Sequence, residues 1–383
     1  MRYKKLEDVC SYVNERISVH ELNLNNYIST ENMLADKNGI IEATKLPTVR
    51  TTLAFKKNDI LISNIRPYFK KIWKADRSGG CSNDVLVIRA NETIDSDFLY
   101  YVLANDSFFE YNNVNSKGTK MPRGDKIAIM RYDVPEFSLS EQQGLSQILL
   151  ALDDKIENNK KINHHLEQMA MAIFKSWFID FEPFGGRMPS DWRIANLTDI
   201  AEYLNGLAMQ KYRPLDDEEG LPVLKIKELR QGTFDSSSDL CSAKINSQYI
   251  VKDGDVIFSW SGSLLVDFWT GGTGGLNQHL FKVSSQNYDK WFYYSWTKYH
   301  LEEFAAIAAD KATTMGHITR SSLEKAEVLI PNNQDYKFLA LLLAPIYDQI
   351  IYNRVENRRL MEVRNTLLPK LLSGEICVNQ ATK

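Results

Sequence analysis

Two stretches of this chain carry the same seam. From Leu149 onward, Leu149, Leu152, Ile156, Asn159, Asn163, Leu166, Ala170, Ile173 and Trp177 follow one another in alternating steps of three and four residues. That is the a/d spacing of a helix that packs lengthwise against another. Shifted along the chain from 149 to 343, the pattern repeats as Leu343, Ile346, Ile350, Asn353, Asn357, Leu360, Arg364, Leu367 and Leu371, with the paired asparagines again in step. A lone helix would leave such a seam in water, so each predicts a partner and the other is at hand. Buried asparagines fix the register of such a pair at some cost in stability. Each helix, at about 40 residues and ~1.5 Å per residue, would be about 60 Å long, and an antiparallel pair is expected. The weakest seam positions are Ala170 and Arg364, the latter expected at a frayed or solvent-facing point. Pro345 suits only a first helical turn, so the second helix is expected to begin about there.

The segments ahead of the two helices also match. "NDILIS" at 58–63 answers "GDVIFS" at 254–259, both reading as half-buried strands. "GGCSNDVLVIRA" at 79–90 answers "GGLNQHLFKVSS" at 274–285, and "DFLYYVL" at 97–103 answers "KWFYYSW" at 290–296. "GTKMPRGDKIAI" at 118–129 answers "ATTMGHITRSSL" at 312–323. The chain is therefore a tandem duplication of mixed α/β (α+β) class. Its expected parts are a first domain over 1–137, a spacer helix over 138–180, a linker and second domain over 181–330, and a closing helix and tail over 331–383. Pro183, Gly185, Gly186 and Pro189 mark the linker as non-helical. The two long helices form an antiparallel coiled coil with pseudo-twofold symmetry in this reading.

Composition narrows the function. No apolar run approaches the ~18 residues needed to span a membrane, and the "MRYKKLEDVCSYV" start lacks a signal-peptide core, so a cytoplasmic chain is expected. The four cysteines lie far apart without a CxxC, which disfavours a disulfide framework or a zinc site. Six histidines show no ligand spacing, and His164 and His165 fall off the seam. "TGGTGG" at 270–275 lacks the Gly-Lys-Ser/Thr of a phosphate loop, no GxGxxG opens a helix, and Asp253 and Asp255 read as turn residues before a strand. No metal or catalytic site of the chain's own is expected.

What remains is a binder with two heads. The net charge is −3, but between Lys45 and Arg77 nine basic residues face only Asp59 and Asp76, a local balance suited to phosphate. In the first module the candidate DNA contacts are Lys45 and Arg50 of "KLPTVR", Arg66, Tyr68, Lys70 and Lys71 of "NIRPYFKK", and Thr119, Lys120 and Arg123. In the second they are Gln210, Lys211 and Arg213 of "AMQKYR", taken as the equivalent of "KLPTVR", then Trp260, Ser261 and Ser263, and Thr314 and His317. Arginine suits guanine edges, and amide side chains suit adenine. A single-chain DNA-modifying enzyme and a protein-only coiled-coil adaptor are the competing readings.

The run "LSEQQ…ILLALDDKIENNKKINHHLEQMAMAIFKSWFIDFEPF" closely resembles the central helix region of specificity subunits of type I restriction–modification systems. "GGLNQHLFKV", "TTMGHITRSSL" and "RNTLLPKLLSGEI" resemble their second half, so the likeness covers essentially the whole chain. "IPNNQDYK" at 330–337 departs from it by lacking the Glu-Gln of "LSEQQ", which leaves the second helix start less defined. The resemblance implies a non-catalytic subunit whose two domains each read one half of an asymmetric bipartite site in double-stranded DNA. It implies a coiled coil that sets the spacer and docks two methyltransferase subunits, and two restriction (motor-nuclease) subunits joining through the complex. S-adenosylmethionine would then belong to the methyltransferase partners, ATP and magnesium to the motor-nuclease partners, and no cofactor to this chain.

Overall fold

Both seams fold as 40-residue helices, Leu139–Phe178 and Asn333–Leu372, in a computed structural model that describes residues 2–310 and 318–376. Their starts are built alike from different side chains. The Ser138 hydroxyl and backbone N–H both donate to Glu141 Oε2, at 2.7 and 2.8 Å, and the Glu141 N–H returns a bond to Ser138 Oγ. At the second start Asn332 Oδ1 accepts from the Asp335 N–H at 2.8 Å while Asn332 Nδ2 donates to Asp335 Oδ2. Each box satisfies amides that the first turn leaves open. One residue further on, Gln142 Oε1 accepts from the Asp95 N–H, and Tyr336 Oη accepts from the Asp289 N–H, both at 2.8 Å. Asp95 and Asp289 are the N-caps of helices Ser96–Ala104 and Lys290–Tyr299, so each long helix is tied to a short one.

Two expectations about the second helix are corrected. It begins at Asn333, which places Pro345 in its interior. Proline there removes one backbone bond at a cost of about 3 kcal/mol, but Pro345 and Leu341 lie on the exposed side, where water can serve the freed carbonyl. Leu339, Leu343 and Tyr347 are buried on the opposite side. Arg364 is neither frayed nor solvent-facing: its Nη1 lies 2.6 Å from Asp153 Oδ1, with side chains only 18% and 24% exposed. Asp153 also accepts from the Tyr101 hydroxyl at 2.7 Å, so a seam arginine is stabilised by a fixed acidic partner.

The chain divides into two units, Met1–Asp154 with Met361–Lys383, and Lys155–Leu360. In the first, Leu145 and Leu149 of one long helix and Leu368, Leu371 and Leu372 of the other share a core with Phe98, Leu99 and Phe108. In the second, the helices pair antiparallel: Asn159 Nδ2 donates to Asn357 Oδ1 at 2.9 Å, and Asn353 Nδ2 donates to Asn163 Oδ1 at 2.8 Å. The residues in every seventh position, Leu149, Ile156, Asn163 and Ala170, are fully buried, as are Leu343, Ile350 and Asn357. Leu152, Leu166, Ile173, Ile346, Leu360 and Leu367 are only half-buried. Near the helix ends Phe174, Phe178 and Tyr347 take the interior places, as expected when a straight helix drifts against a strict heptad.

The first unit has a short antiparallel ladder, Tyr3–Lys5 with Asp133–Pro135, and an antiparallel sheet in the order Cys10–Tyr12, Val85–Ala90, Ile60–Ser63, Ile72–Lys74. A second sheet runs Arg16–Ser18, Thr51–Phe55, Gly79–Cys81, Tyr27–Ile28, its last pair parallel. The second unit repeats the ladder, Arg193–Asn196 with Glu327–Ile330, and the antiparallel sheet, Glu202–Asn205, Leu280–Ser284, Val256–Ser259, Leu265–Phe268. Its other sheet runs Ile250–Val251, Gly274–Leu276, Leu221–Leu224, Leu240–Cys241. The three shared strands match, but the fourth is added at opposite edges in the two units.

The strands read as half-buried are buried on both faces. Ile60 and Ile62 enter the helix-backed core while Leu61 enters a second cluster with Phe55, Val85 and Val87. Val256 and Phe258 divide from Ile257 in the same way. The twin glycines explain themselves at the parallel pair: a Cβ on Gly79 would lie 2.1 Å from the Asn26 carbonyl oxygen, and one on Gly274 would lie 2.6 Å from that of Pro222. Only a bare backbone allows that approach.

Candidate nucleic-acid interface

The parallel strand pair opens the same cleft in each unit. Register sets Tyr27 opposite Gly80 and Ile28 opposite Cys81, as it sets Val223 opposite Gly275 and Leu224 opposite Leu276. Tyr27 thus answers Val223, Ser29 answers Lys225, Ser82 answers Asn277 and Asp84 answers His279. A cleft of about 270 Å³ borders the first set, and one of about 370 Å³ borders the second. The floor turn is built alike in both, since the Asp84 N–H donates to Ser82 Oγ at 3.2 Å and the His279 N–H to Asn277 Oδ1 at 3.3 Å. The chemistry displayed on that frame differs.

In the first cleft, Asp84 Oδ1 holds Arg123 Nη2 at 3.0 Å, and Lys45 reaches Glu31 across 3.9 Å. In the second, His279 Nδ1 lies 3.2 Å from Ser261 Oγ and its other nitrogen 3.3 Å from Gln278 Nε2. Lys225 bonds the Asp239 carboxylate, and that hydrogen bond holds Asp239 below the usual carboxylate range. Amide, imidazole, carboxylate and ammonium groups together offer donors and acceptors of the kind that read base edges.

Beside the first cleft stands a turn whose backbone is unusual. Arg66 and Lys70, both non-glycine, adopt left-handed conformations at φ 52° and 50° on either side of a 3-10 turn over Pro67–Phe69. Neighbouring loops hold it: the Arg66 N–H donates to the Pro122 carbonyl at 2.7 Å, and the N–H groups of Asp36 and Lys37 donate to the carbonyls of Phe69 and Lys70. Lys37 and Lys70 both reach Asp106 Oδ1 at 2.9 Å. Burial works against the Asp106 carboxylate, yet the bonds from the two lysines outweigh it and keep its pKa below normal. Lys71 donates to the Thr30 carbonyl at 2.7 Å, at the cleft's edge.

Lys45 lines the first cleft, Arg50 is exposed just ahead of strand Thr51–Phe55, and Tyr68 is 47% exposed. Thr119, Lys120 and Arg123 sit on a loop closed by the reciprocal bonds of Lys117 and Arg123. The structure brings this loop against the 64–71 turn. Gln210 and Arg213 line the second cleft, with exposed Lys211 beside them. Trp260 is half-buried and donates to Asn205 Oδ1, Ser261 is buried against His279, and Ser263 is exposed. Thr314 and His317 lie outside the described residues.

The pairing of "KLPTVR" with "AMQKYR" is overturned by topology. Residues 45–50 follow strand Tyr27–Ile28, whereas residues 208–213 precede its counterpart Leu221–Leu224. The position of 45–50 is taken in the second unit by part of the segment 225–249, which includes helix Ile226–Gln231 and strand Leu240–Cys241. Both loops reach matching clefts by different routes. Sequence reasoning also missed Ser82, Asp84, Asn277 and His279, although they follow the aligned "GGC" and "GGL" at once.

Asp253 and Asp255 do not form a paired carboxylate site. Asp253 accepts both terminal nitrogens of Arg358, at 3.0 and 2.8 Å, and Asp255 binds Lys282 at 2.8 Å. Cys10, Cys81 and Cys241 are buried free thiols, and burial pushes Cys10 and Cys81 up to about 12. Among the described residues no cluster of three or more His, Cys, Asp or Glu could hold a metal. None of the described helices is long and apolar enough to cross a membrane.

The family model for the type I restriction modification DNA specificity domain matches residues 1–168 and again residues 189–357. The chain is 29% identical over 305 residues to the type I restriction enzyme MjaIX specificity subunit of Methanocaldococcus jannaschii, covering 74% of this chain and 70% of that one. It is 23% identical to the HindI specificity subunit of Haemophilus influenzae, covering 84% and 87%. The crystal structure of a type I restriction–modification S subunit from M. genitalium superposes with a TM-score of 0.62 at 14% identity, over 97% of this chain and 95% of that one, and so shares the fold. The chain belongs to the family of DNA-specificity subunits of type I restriction–modification systems.

Proposed function

We propose that this chain supplies sequence recognition, and no catalysis, to a DNA adenine-N6 methyltransferase complex that also works as an ATP-dependent nuclease when motor-nuclease subunits join. Residues 1–137 and 181–330 each read one half of a bipartite duplex site. The observation that carries this is the cleft built twice on one backbone plan with different side chains, Asp84 and Ser82 in one and His279 and Asn277 in the other. A shared three-strand frame with different donors and acceptors suits two unlike half-sites, so the full site is asymmetric. The paired helices act as the spacer and as the platform for two methyltransferase subunits. S-adenosylmethionine, ATP and magnesium are carried by the partners, and the assembly works in the cytoplasm.

The spacer role has a direct test in the methylome of a host expressing the chain with its partners. Because Asn163 faces Asn353 in an antiparallel pair, a length change must be made in both helices. One heptad inserted after Asn163 and another before Asn353 add about 10 Å, close to three base pairs at ~3.4 Å each. The methylated motif should keep both half-sites and gain about three base pairs between them. An unchanged gap with methylation intact would reject the spacer role.

A further inference from the structure

We propose that the Arg66–Lys71 turn is an aromatic wedge, on which Tyr68 and Phe69 enter the duplex and unstack one base step of the first half-site. This rests on the DNA-specificity reading above and adds a mechanical element to it. Tyr68 and Phe69 are 47% and 38% exposed, with ring centroids 4.7 Å apart, so two aromatic faces stand in water at the tip of the turn. A pair of exposed aromatic rings is suited to stacking on bases. The turn is also rigid. Its two left-handed residues are strained for side chains other than glycine, and the bonds from Arg66 to Pro122, Asp36 to Phe69 and Lys37 to Lys70 lock it on both sides. Strain held this firmly maintains a shape before the ligand arrives.

Charge selects the ligand. The turn and the two loops that hold it, 36–37 and 117–124, carry seven Lys and Arg side chains, against the carboxylates of Asp36, Asp84, Asp106 and Asp125. Within the same turn Arg66 keeps a buried Nε without a hydrogen-bond partner. Apolar wedges flanked by cations insert between base steps and kink DNA, at a few kcal/mol per step. The second module is unlike the first here. Its equivalent turn has Ser261, Gly262 and Ser263, while Trp260 is half-buried and bonded to Asn205. The two heads therefore deform DNA differently, and only the first should unstack it.

The test uses the chain assembled with its methyltransferase subunits and duplexes carrying 2-aminopurine at successive positions of both half-sites, the target adenines and their neighbours left unsubstituted because the methyltransferase subunits flip the target base out of the stack. The wild-type complex should raise the fluorescence at one step of the first half-site and at none of the second. Tyr68→Ala with Phe69→Ala should abolish that rise and weaken binding by roughly five- to hundred-fold. Tyr68→Phe should retain both. Continued discrimination of the second half-site by the alanine pair reports that the chain is folded. Wild-type binding with no rise at any first-half step, or a rise that survives the alanine pair, overturns the wedge. Loss of sequence-dependent binding by the wild-type complex would instead remove the reading on which it rests.

Discussion

Asn353 donates from Nδ2 to Oδ1 of Asn163 across the helix pair at 2.8 Å. The neighbouring bond from Asn159 to Asn357 is its mirror, for the repeat that carries Asn159 to Asn353 also carries Asn163 to Asn357. In both bonds the first asparagine of one repeat thus meets the second of the other, and only the antiparallel register allows this crossed pairing. Asn163 and Asn357 also donate to the carbonyls of Ile350 and Ile156, so the layer is tied to the backbone on both sides.

Replacing Asn353 alone with Ala should cost about 1–3 kcal/mol in urea unfolding, since Asn163 Oδ1 would lose its donor inside the seam. Replacing all four asparagines with Leu should raise the unfolding midpoint and relax the register. Cysteine pairs placed one heptad out of step would then cross-link. If those pairs stay silent in the all-Leu chain, the asparagines do not set the register.

Arg364→Leu should destabilise by about 1–3 kcal/mol, because it strands the Asp153 carboxylate among half-buried groups with only the Tyr101 hydroxyl left to it. Adding Asp153→Asn should recover part of the loss, since no unpaired charge then remains. A double-mutant cycle by denaturant titration measures the coupling, and additive losses would show that the pair contributes nothing of its own.

Gly124 joins the 117–124 loop to the Asn64 turn, its N–H donating to the Asn64 carbonyl at 3.1 Å. A Cβ here would fall 2.4 Å from Asn112 Oδ1 and 2.9 Å from Asn64 Oδ1. Gly124→Ala should therefore cost about 1–3 kcal/mol through overpacking. Asn112 is fully buried with both side-chain polar atoms unpaired, so Asn112→Ala should be cheap and should relieve the clash. Full additivity of the two changes in thermal unfolding would contradict that packing.

The duplicated seams and twin strands were legible in the sequence because apolar spacing and a Gly-Gly approach admit few substitutes. Less was legible where one task is done by unlike residues. Gln142 and Tyr336 make the same bond to Asp95 and Asp289, and Asn332 caps as Ser138 does, so the absent Glu-Gln concealed a joint that both repeats share. Arg364 read as a fault in the seam because its partner Asp153 lies on the other helix. The clefts were half visible: Lys45, Gln210 and Arg213 were singled out, but the equivalence of their loops was not. Loop order depends on which edge of the sheet receives the fourth strand, and apolar periodicity does not encode that choice.

The clefts offer the last prediction, which separates the two heads. Asp84 occupies one oxygen with Arg123 and places a carboxylate in the first cleft, where His279 stands in the second. Asp84→Asn removes that charge and releases the Arg123 guanidinium toward the phosphates. Binding of the assembled complex to duplexes should then tighten least for the cognate first half-site and most for mismatched ones. The slope of log affinity against log salt should steepen by about 0.9, as one more phosphate contact requires. If Asp84 accepts from a cytosine amino group, discrimination at that base pair should fall by about 1–3 kcal/mol. His279→Ala should relax only the second half-site and leave the first unchanged. Both variants are measured against duplexes altered one half-site at a time, across a salt series. Relaxation of the second half-site by the Asp84 change would show that the first cleft does not face DNA alone, and would overturn the division of labour between the heads.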